Sequence, residues 1–176
     1  MLRITALIGL LLTVSAGAFA SQTAKDYLSR AGPHYDKGEL DVAITDYNRA
    51  IELNPKLATA YNGRGLAWLA KGNRQQAAAD YTTAINIDPD LAEAYFNRGH
   101  LRRVEGDFKR AISDLDKSLD ADPRYALALA ERGLARLALG QDAKARKDFQ
   151  KSIRLDGGLK AWVEENSKRV MQAHSL

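Results

Sequence analysis

Small and bulky apolar residues recur along this chain at the three- and four-residue spacing of helices that bury one face. The whole pattern returns every 34 residues, in three bulky columns and two small ones. The bulky columns are Tyr27, Tyr61, Tyr95 and Leu129; Tyr47, Tyr81, Leu115 and Phe149; and Ile51, Ile85, Leu119 and Ile153. The small columns are Ala31, Gly65, Gly99 and Gly133; and Ala43, Ala77, Ala111 and Ala145. Small side chains let helix axes approach closely, so the pattern predicts tightly packed helix pairs.

Helix-ending residues recur in the same register. Glycine can take the left-handed conformation that ends a helix, and proline cannot continue a helix because it has no amide hydrogen. The recurring residues are Gly38, Gly72, Gly106 and Gly140, and Pro55, Pro89 and Pro123. In the first copy they predict one helix before Gly38 and a second from about Leu40 to Leu53. The predicted units are 24–57, 58–91, 92–125 and 126–159, which is typical of a stacked array.

The second copy resembles a known repeat. Its marker residues are Tyr61, Gly65, Gly72, Ala77, Tyr81, Ala84 and Pro89. This order of aromatic, small and helix-ending residues is similar to the tetratricopeptide repeat, and the resemblance covers residues 24–159. It implies an all-α fold, a right-handed α-solenoid of four antiparallel helix pairs with a concave groove. Such grooves usually bind peptides or protein segments.

The chain departs from the family pattern at several positions. Gly32 and Pro33 fall inside the predicted first helix. An interior proline costs on the order of 3 kcal/mol, so we expect a kink or a break there. Gly157 stands where the fourth proline would fall. Arg102 and Arg136 occupy a column that is often aromatic in the family, and we expect their stems to cover apolar surface while their charged heads reach water.

The last segment, 160–176, is predicted to be a capping helix followed by a tail. From about Lys160 to Gln172, Val163 and Val170 lie seven residues apart with Trp162 and Met171 beside them. A helix with one such apolar face would cover the exposed end of the last repeat. A docking helix for a partner is the alternative.

The first twenty residues resemble a targeting segment. Arg3 precedes an apolar run from Ile4 to Val14, and Ala18 and Ala20 provide the small residues that signal peptidase requires. We therefore predict a signal peptide over 1–20, cleaved after Ala20, and a periplasmic or secreted protein. Cleavage after Ala18 and an uncleaved anchor are the alternatives. A lipoprotein leader is excluded because the chain has no cysteine.

Composition gives no sign of bound cofactors or nucleic acid. The chain has no cysteine, and its three histidines lack the spacing of metal ligands. We expect no metal and no cofactor. The formal net charge is +4, which becomes +3 when Arg3 is lost with the leader, so it is too small to indicate nucleic-acid binding. Beyond the leader no apolar stretch is long enough for a membrane span, and we expect no stable membrane insertion after cleavage.

Two charged columns share the repeat period. Arginine recurs at Arg30, Arg64, Arg98 and Arg132, and aspartate recurs sixteen residues later at Asp46, Asp80, Asp114 and Asp148. Residues eight positions before and after the turn of an antiparallel helix pair lie at about the same height. We therefore expect each arginine to pair with an aspartate, across its helix pair or in the adjacent repeat, and to be structural.

The family resemblance also implies a binding surface. In the family, the first helix of each pair lines the concave groove. The matching candidate residues are Asn62, Leu66, Leu69, Phe96, Asn97, His100, Arg103, Glu131 and Leu134, with Ala130 and Leu137 beside them. This mixture could hold a segment by apolar contact while Asn97, His100 and Arg103 set its direction. For each residue, a solvent-exposed surface role is the alternative.

One specialised form of this groove is absent. Repeat proteins of this family that grip the terminal carboxylate of heat-shock chaperones use lysine, asparagine and arginine at set positions. Asn97 matches that set. Asn62 and Leu66 replace the first lysine and asparagine, and Leu127 and Glu131 replace the later lysine and arginine.

These features favour an exported protein-interaction module that acts as an adaptor or scaffold. A structural or assembly subunit of a cell-envelope complex is the alternative. We find no nucleophile elbow, phosphate-binding loop or catalytic triad, and we predict no enzymatic activity and no catalytic residue. We expect a monomer or a weak homo-oligomer, and solution size would separate an adaptor from a structural subunit.

Overall fold

The computed structural model describes residues 22–173, which form nine helices and no strand. The helices are α1 (Ala24–Asp36), α2 (Leu40–Leu53), α3 (Ala58–Ala70), α4 (Arg74–Ile87), α5 (Ala92–Val104), α6 (Phe108–Ala121), α7 (Ala126–Leu137), α8 (Asp142–Leu155) and α9 (Leu159–Ala173). The all-α prediction is confirmed. The predicted leader over 1–20 and the end of the predicted tail lie outside the described residues.

The glycines end the first helix of each pair as predicted. Gly38, Gly72, Gly106 and Gly140 all have φ between 68° and 84°, the left-handed region that a Cβ disfavours. After α3, the amide of Gly72 donates to the carbonyl of Leu69 at 2.9 Å, which closes the helix end. The next helix follows at once, because the side chain of Asn73 accepts a hydrogen bond from the amide of Gln76.

The helices pack in chain order. Each odd-numbered helix from α1 to α7, here called an A helix, packs most extensively against the helix that follows it, here called a B helix. Each B helix from α2 to α6 also packs against the next A helix, so the pairs form a stack. The grouping of the chain into four repeats with the predicted boundaries stays a prediction.

Close approach within a pair depends on the small columns. A Cβ built on Gly65 would lie 2.6 Å from Cε1 of Tyr81, which has no exposed surface. Ala77 in α4 is also fully buried, so the ring of Tyr81 fills the space that both small residues leave. The glycine therefore sets the distance between α3 and α4.

Of the kink or break predicted in the first helix, the break is wrong and the kink stays a prediction. The helix α1 continues from Ala24 to Asp36 with Pro33 inside it. Pro33 lies only three residues from the helix end, and the amide of Lys37 still donates to the carbonyl of Pro33 at 3.2 Å. The proline therefore removes a single hydrogen bond, the one to the carbonyl of Ser29, and leaves the following turn in place.

The last helix packs on the end of the stack. Helix α9 contacts α7 and α8, and Val163 is its buried residue. Trp162 and Val170 are half-buried, whereas Met171 is exposed. This placement is that of a helix covering the last pair, as the sequence predicted. Within residues 22–173, none of the helices has the length and apolar character of a membrane span.

Candidate peptide-binding groove

The A helices form one continuous surface. Helices α1 and α3, α3 and α5, and α5 and α7 contact each other side by side, and α9 continues the row by packing on α7. The candidate residues lie on α3, α5 and α7 of this row. The surface is here called the groove.

An amide pair links two neighbouring A helices. Nδ2 of Asn97 in α5 donates a hydrogen bond to Oδ1 of Asn62 in α3 at 2.9 Å. Both side chains are half-buried. The side-chain oxygen Oδ1 of Asn97 and the two side-chain N–H groups of Asn62 have no partner among the described residues. The pair therefore offers a free acceptor and free donors.

An aromatic cluster lies next to the amide pair. The ring of Phe96 packs against Tyr125 with 4.8 Å between centroids and stacks with His100 at 6.3 Å. Burial raises the pKa of Tyr125 to about 12, so its hydroxyl keeps its proton at neutral pH. The rings therefore give this part of the groove an apolar floor with polar edges.

A buried acid holds the two basic candidates of the groove. Glu131 is only 3% exposed, and its carboxylate accepts hydrogen bonds from Nε and Nη2 of Arg103. Nδ1 of His100 lies 3.0 Å from Oε1 of Glu131, within ion-pairing distance. Burial raises the pKa of Glu131, but its contacts with His100 and Arg103 outweigh this effect and hold the pKa below its usual value.

The apolar candidates differ in accessibility. Leu66 and Leu69 are half-buried and pack against the buried cluster around Tyr81. Leu134 is 1% exposed, and its helix carries α9 on one side. The accessible candidates are therefore concentrated on α3 and α5, while Glu131 and Leu134 on α7 form buried support. Their roles as ligand contacts stay predictions.

The arginine ladder is structural, as predicted. Each of its arginines donates two hydrogen bonds to the aspartate sixteen residues later. Nη1 of Arg64, Arg98 and Arg132 also donates to a side chain sixteen residues earlier, on the preceding B helix. Each of these three residues thus joins its own helix pair to the preceding one.

The heads of Arg102 and Arg136 have partners that the sequence analysis did not assign. Nη1 of Arg102 donates to Asp114 and Nη1 of Arg136 donates to Asp148, both at 2.6 Å. Arg102 and Arg136 lie one helical turn after Arg98 and Arg132, which already bind these aspartates, and a carboxylate oxygen can accept a further hydrogen bond.

Tyr125 is a groove residue that the sequence analysis missed. It lies between α6 and α7, directly before the first residue of α7. The repeat register held a signal for it, because Leu57, Leu91 and Leu159 stand in the same column. An apolar column at that position indicates a packing role, and Tyr125 adds a hydroxyl to it.

Comparison with known families agrees with this architecture. A model described as TPR repeat matches residues 34–72 and 68–102, and a model described as Tetratricopeptide repeat matches residues 96–159. The chain belongs to the tetratricopeptide-repeat proteins. None of the curated proteins compared with this tetratricopeptide-repeat chain matches it.

Several solved structures share the fold of this tetratricopeptide-repeat protein. A crystal structure of MamA is 24% identical with a TM-score of 0.69, covering 77% of this chain and 79% of that chain. The first TPR of Spaghetti (RPAP3), bound to the HSP90 peptide SRMEEVD, is 22% identical with a TM-score of 0.64. The match covers 68% of this chain and 95% of that chain. The OM64 TPR domain of Arabidopsis is 29% identical with a TM-score of 0.62. The match covers 65% of this chain and 94% of that chain.

Proposed function

We propose that this protein is an exported adaptor that binds an extended segment of a partner protein in the groove, against α3 and α5. Tetratricopeptide repeats are generally non-catalytic interaction modules, and one structural neighbour was solved with a bound peptide. Within residues 22–173 no group of three or more His, Asp or Glu side chains is arranged to hold a metal ion. We assign the function to recognition by side chains of the groove.

The Asn62–Asn97 pair is the observation that carries the proposal. A peptide backbone presents one N–H donor and one C=O acceptor per residue. The free carbonyl oxygen of Asn97 and the free N–H groups of Asn62 complement both, and their mutual hydrogen bond fixes the two amides relative to each other. Recognition of the main chain by this pair is independent of the partner's sequence.

Side-chain selectivity is assigned to the surface beside the amide pair. Phe96 and Leu66 are half-buried and offer apolar contact. Arg103 is 17% exposed and its Nε and Nη2 are held by Glu131, so it contributes less free positive charge than the sequence suggested. We therefore assign the preferred partner an apolar segment rather than a free carboxylate.

Binding of peptides by the groove can be tested with selected ligands and paired variants. Peptides selected from a random library on the purified protein are measured by fluorescence anisotropy. We expect the double variant Asn62→Ala and Asn97→Ala to bind roughly tenfold more weakly, since each lost hydrogen bond is worth about 0.5–1.5 kcal/mol.

A matched control removes two amides elsewhere. Gln76 and Asn86 are exposed on the B helix α4, and no partner of their side-chain amides is present among the described residues. The double variant Gln76→Ala and Asn86→Ala should keep the affinity of the unaltered protein. Equal affinities of all three proteins, or equal losses in both variants, would place the peptide outside the groove.

Export is proposed from the first twenty residues. Mass spectrometry of the protein from a periplasmic or secreted fraction should show a mature chain that begins at Ser21. An intact Met1 in that fraction would refute cleavage. Light scattering of the purified protein should give a monomer, whereas a large stable homo-oligomer would favour the structural-subunit alternative.

A further inference from the structure

We infer that the exposed face of α8 is a second docking surface, which binds an acidic segment of a partner protein. Four cations form this surface, here called the basic face: Lys144, Lys147, Lys151 and Arg154. It belongs to a B helix, whereas the groove belongs to the A helices. The inference therefore goes beyond the proposed groove and does not depend on it.

The four cations share one side of the helix. They are spaced by three, four and three residues, which places them on one stripe about 15 Å long at the ~1.5 Å rise of a helix. All four are exposed. The opposite side of α8 is buried through Ala145, Asp148 and Ser152. The stripe therefore faces away from the core along the whole helix.

In two other B helices, the cation at the position that corresponds to Lys151 is paired with an acid three residues later. In α2, Arg49 pairs with Glu52 at 2.6 Å, and in α6, Lys117 pairs with Asp120 at 3.5 Å. In α8 the matching residues are Lys151 and Arg154, so a cation replaces the acid. Like charges at this helical spacing repel, which makes the α8 stripe a local cost rather than a stabilising pair.

None of the described carboxylates relieves this repulsion. Asp148 is buried and is held by Arg132 and Arg136. Asp156, which follows the helix, accepts a hydrogen bond from the amide of Gly158. Asp142 lies with Arg146 in the cleft between α8 and α9, on another side of the helix. The four cations form no ion pair with any carboxylate of residues 22–173, and an acidic partner would supply the missing charge.

Charge and shape favour a protein segment over a membrane. Helices that lie in a membrane interface insert an apolar face between the lipids. The apolar side of α8 is already buried in the stack, and the exposed neighbours of the stripe are Ala143 and Gln150. A helix with Asp or Glu at matching three- and four-residue spacing can place a carboxylate beside each cation. Nucleic acid is less favoured because the cations are confined to one helix.

The test measures binding of a fluorescein-labelled oligoglutamate peptide to the purified protein at low salt. The first variant changes Lys144, Lys147, Lys151 and Arg154 to Gln. The matched control changes four other exposed cations, Lys25, Lys56, Arg74 and Arg124, to Gln, so that both variants lose the same charge. The control should unfold at the temperature of the unaltered protein, because its four side chains form no ion pair with the described residues. The α8 variant should unfold at that temperature or slightly above it, because it loses only like-charge repulsion.

We expect the α8 variant to bind the peptide roughly tenfold more weakly, and the control to stay within about twofold, because exposed ion pairs each contribute a small, local free energy. Binding should also weaken as salt is added. The inference is overturned if the unaltered protein does not bind the peptide or if both variants lose affinity equally. Tighter binding of phosphatidylglycerol vesicles or duplex DNA, lost in the α8 variant alone, would assign the face to that partner instead and overturn the acidic protein segment.

Discussion

Arg98 and Asp114 form a two-pronged ion pair across the helices α5 and α6. Nε of Arg98 donates to Oδ2 of Asp114 at 3.0 Å, and Nη2 donates to Oδ1 at 2.8 Å. Asp114 is 4% exposed and also accepts a hydrogen bond from Arg102. Nη1 of Arg98 reaches back to Thr82 on the preceding B helix. One arginine therefore fixes both the geometry of its own pair and its contact with the pair before it.

Removal of this buried acid should destabilise the protein strongly. We expect Asp114→Ala to lower the free energy of unfolding by about 3–5 kcal/mol, because two partly buried guanidinium groups lose their partner. Chemical denaturation followed by circular dichroism measures the change. Asp120→Ala is the control, since Asp120 pairs with Lys117 at the surface and should contribute no more than about 1 kcal/mol. Similar losses in the two variants would contradict the structural role of the ladder.

Two glycines in A helices should respond oppositely to alanine. A Cβ on Gly65 would lie 2.6 Å from the buried ring of Tyr81, whereas a Cβ on Gly32 would meet nothing within 4 Å. We expect Gly65→Ala to destabilise the protein by about 1–3 kcal/mol through overpacking. Gly32→Ala should stabilise it by about 0.5–1 kcal/mol, because alanine is the better helix former. Thermal unfolding of both variants measures the difference, and a shift of the same sign in both would argue against the close approach.

The charge of Glu131 should make stability depend on pH. Its pKa lies below the usual value of 4.5, so the charged form stabilises the fold above about pH 4.5, and this contribution is lost as the pH falls through the lower pKa of the folded state. We expect Glu131→Gln to be less stable than the unaltered protein at neutral pH. The gap should close on acidification.

Urea denaturation across a pH series measures this gap. Glu165→Gln is the control, because Glu165 pairs with Arg169 at the surface of α9 and both side chains are exposed. Its stability should follow that of the unaltered protein at every pH. A constant gap between Glu131→Gln and the unaltered protein down to low pH would show that the charge of Glu131 does not contribute.

The helical proline of α1 should reduce stability. Pro33→Ala restores an amide that can donate to the carbonyl of Ser29, and we expect a gain of about 2 kcal/mol after the lost rigidity of the unfolded chain is counted. Pro89→Ala is the matched change in a turn, where proline is compatible with the backbone and its loss should cost up to about 1 kcal/mol. Differential scanning calorimetry of both variants tests the contrast, which would fail if Pro33→Ala lowered the melting temperature.

Much of the fold was predictable from the sequence because the same residue pattern returns every 34 residues. The helix bounds Leu40 and Leu53 follow from glycine and proline, whose backbone limits act locally. Pairing between the arginine and aspartate columns follows from their fixed separation around a turn of fixed position, and the structure shows that Arg98 pairs with Asp114 of its own helix pair. Structural features that depend on local backbone limits, or that recur in each repeat, can be predicted from the sequence alone.

The candidate site was less predictable. Family resemblance placed Asn62 and Asn97 on neighbouring helices, but their hydrogen bond depends on the relative height of α3 and α5. Arg103 and Glu131 were both predicted to face the groove, and the structure joins them to each other. Their separation of 28 residues is not a spacing that the repeat imposes. Long side chains can reach either a ligand or a neighbouring helix, and no local pattern decides between the two.

The sequence by itself determined the helical period, the helix ends and the charged ladder, because these depend on backbone limits and on spacing along one chain. The structure also showed that α1 continues through Pro33, which lies so near the helix end that it removes a single hydrogen bond. Packing between helices decided that Glu131 holds Arg103 and that Arg102 joins Asp114. Both of these pairings depend on which groups meet when separate helices pack, where burial makes an unpaired charge more costly than a rearranged side chain.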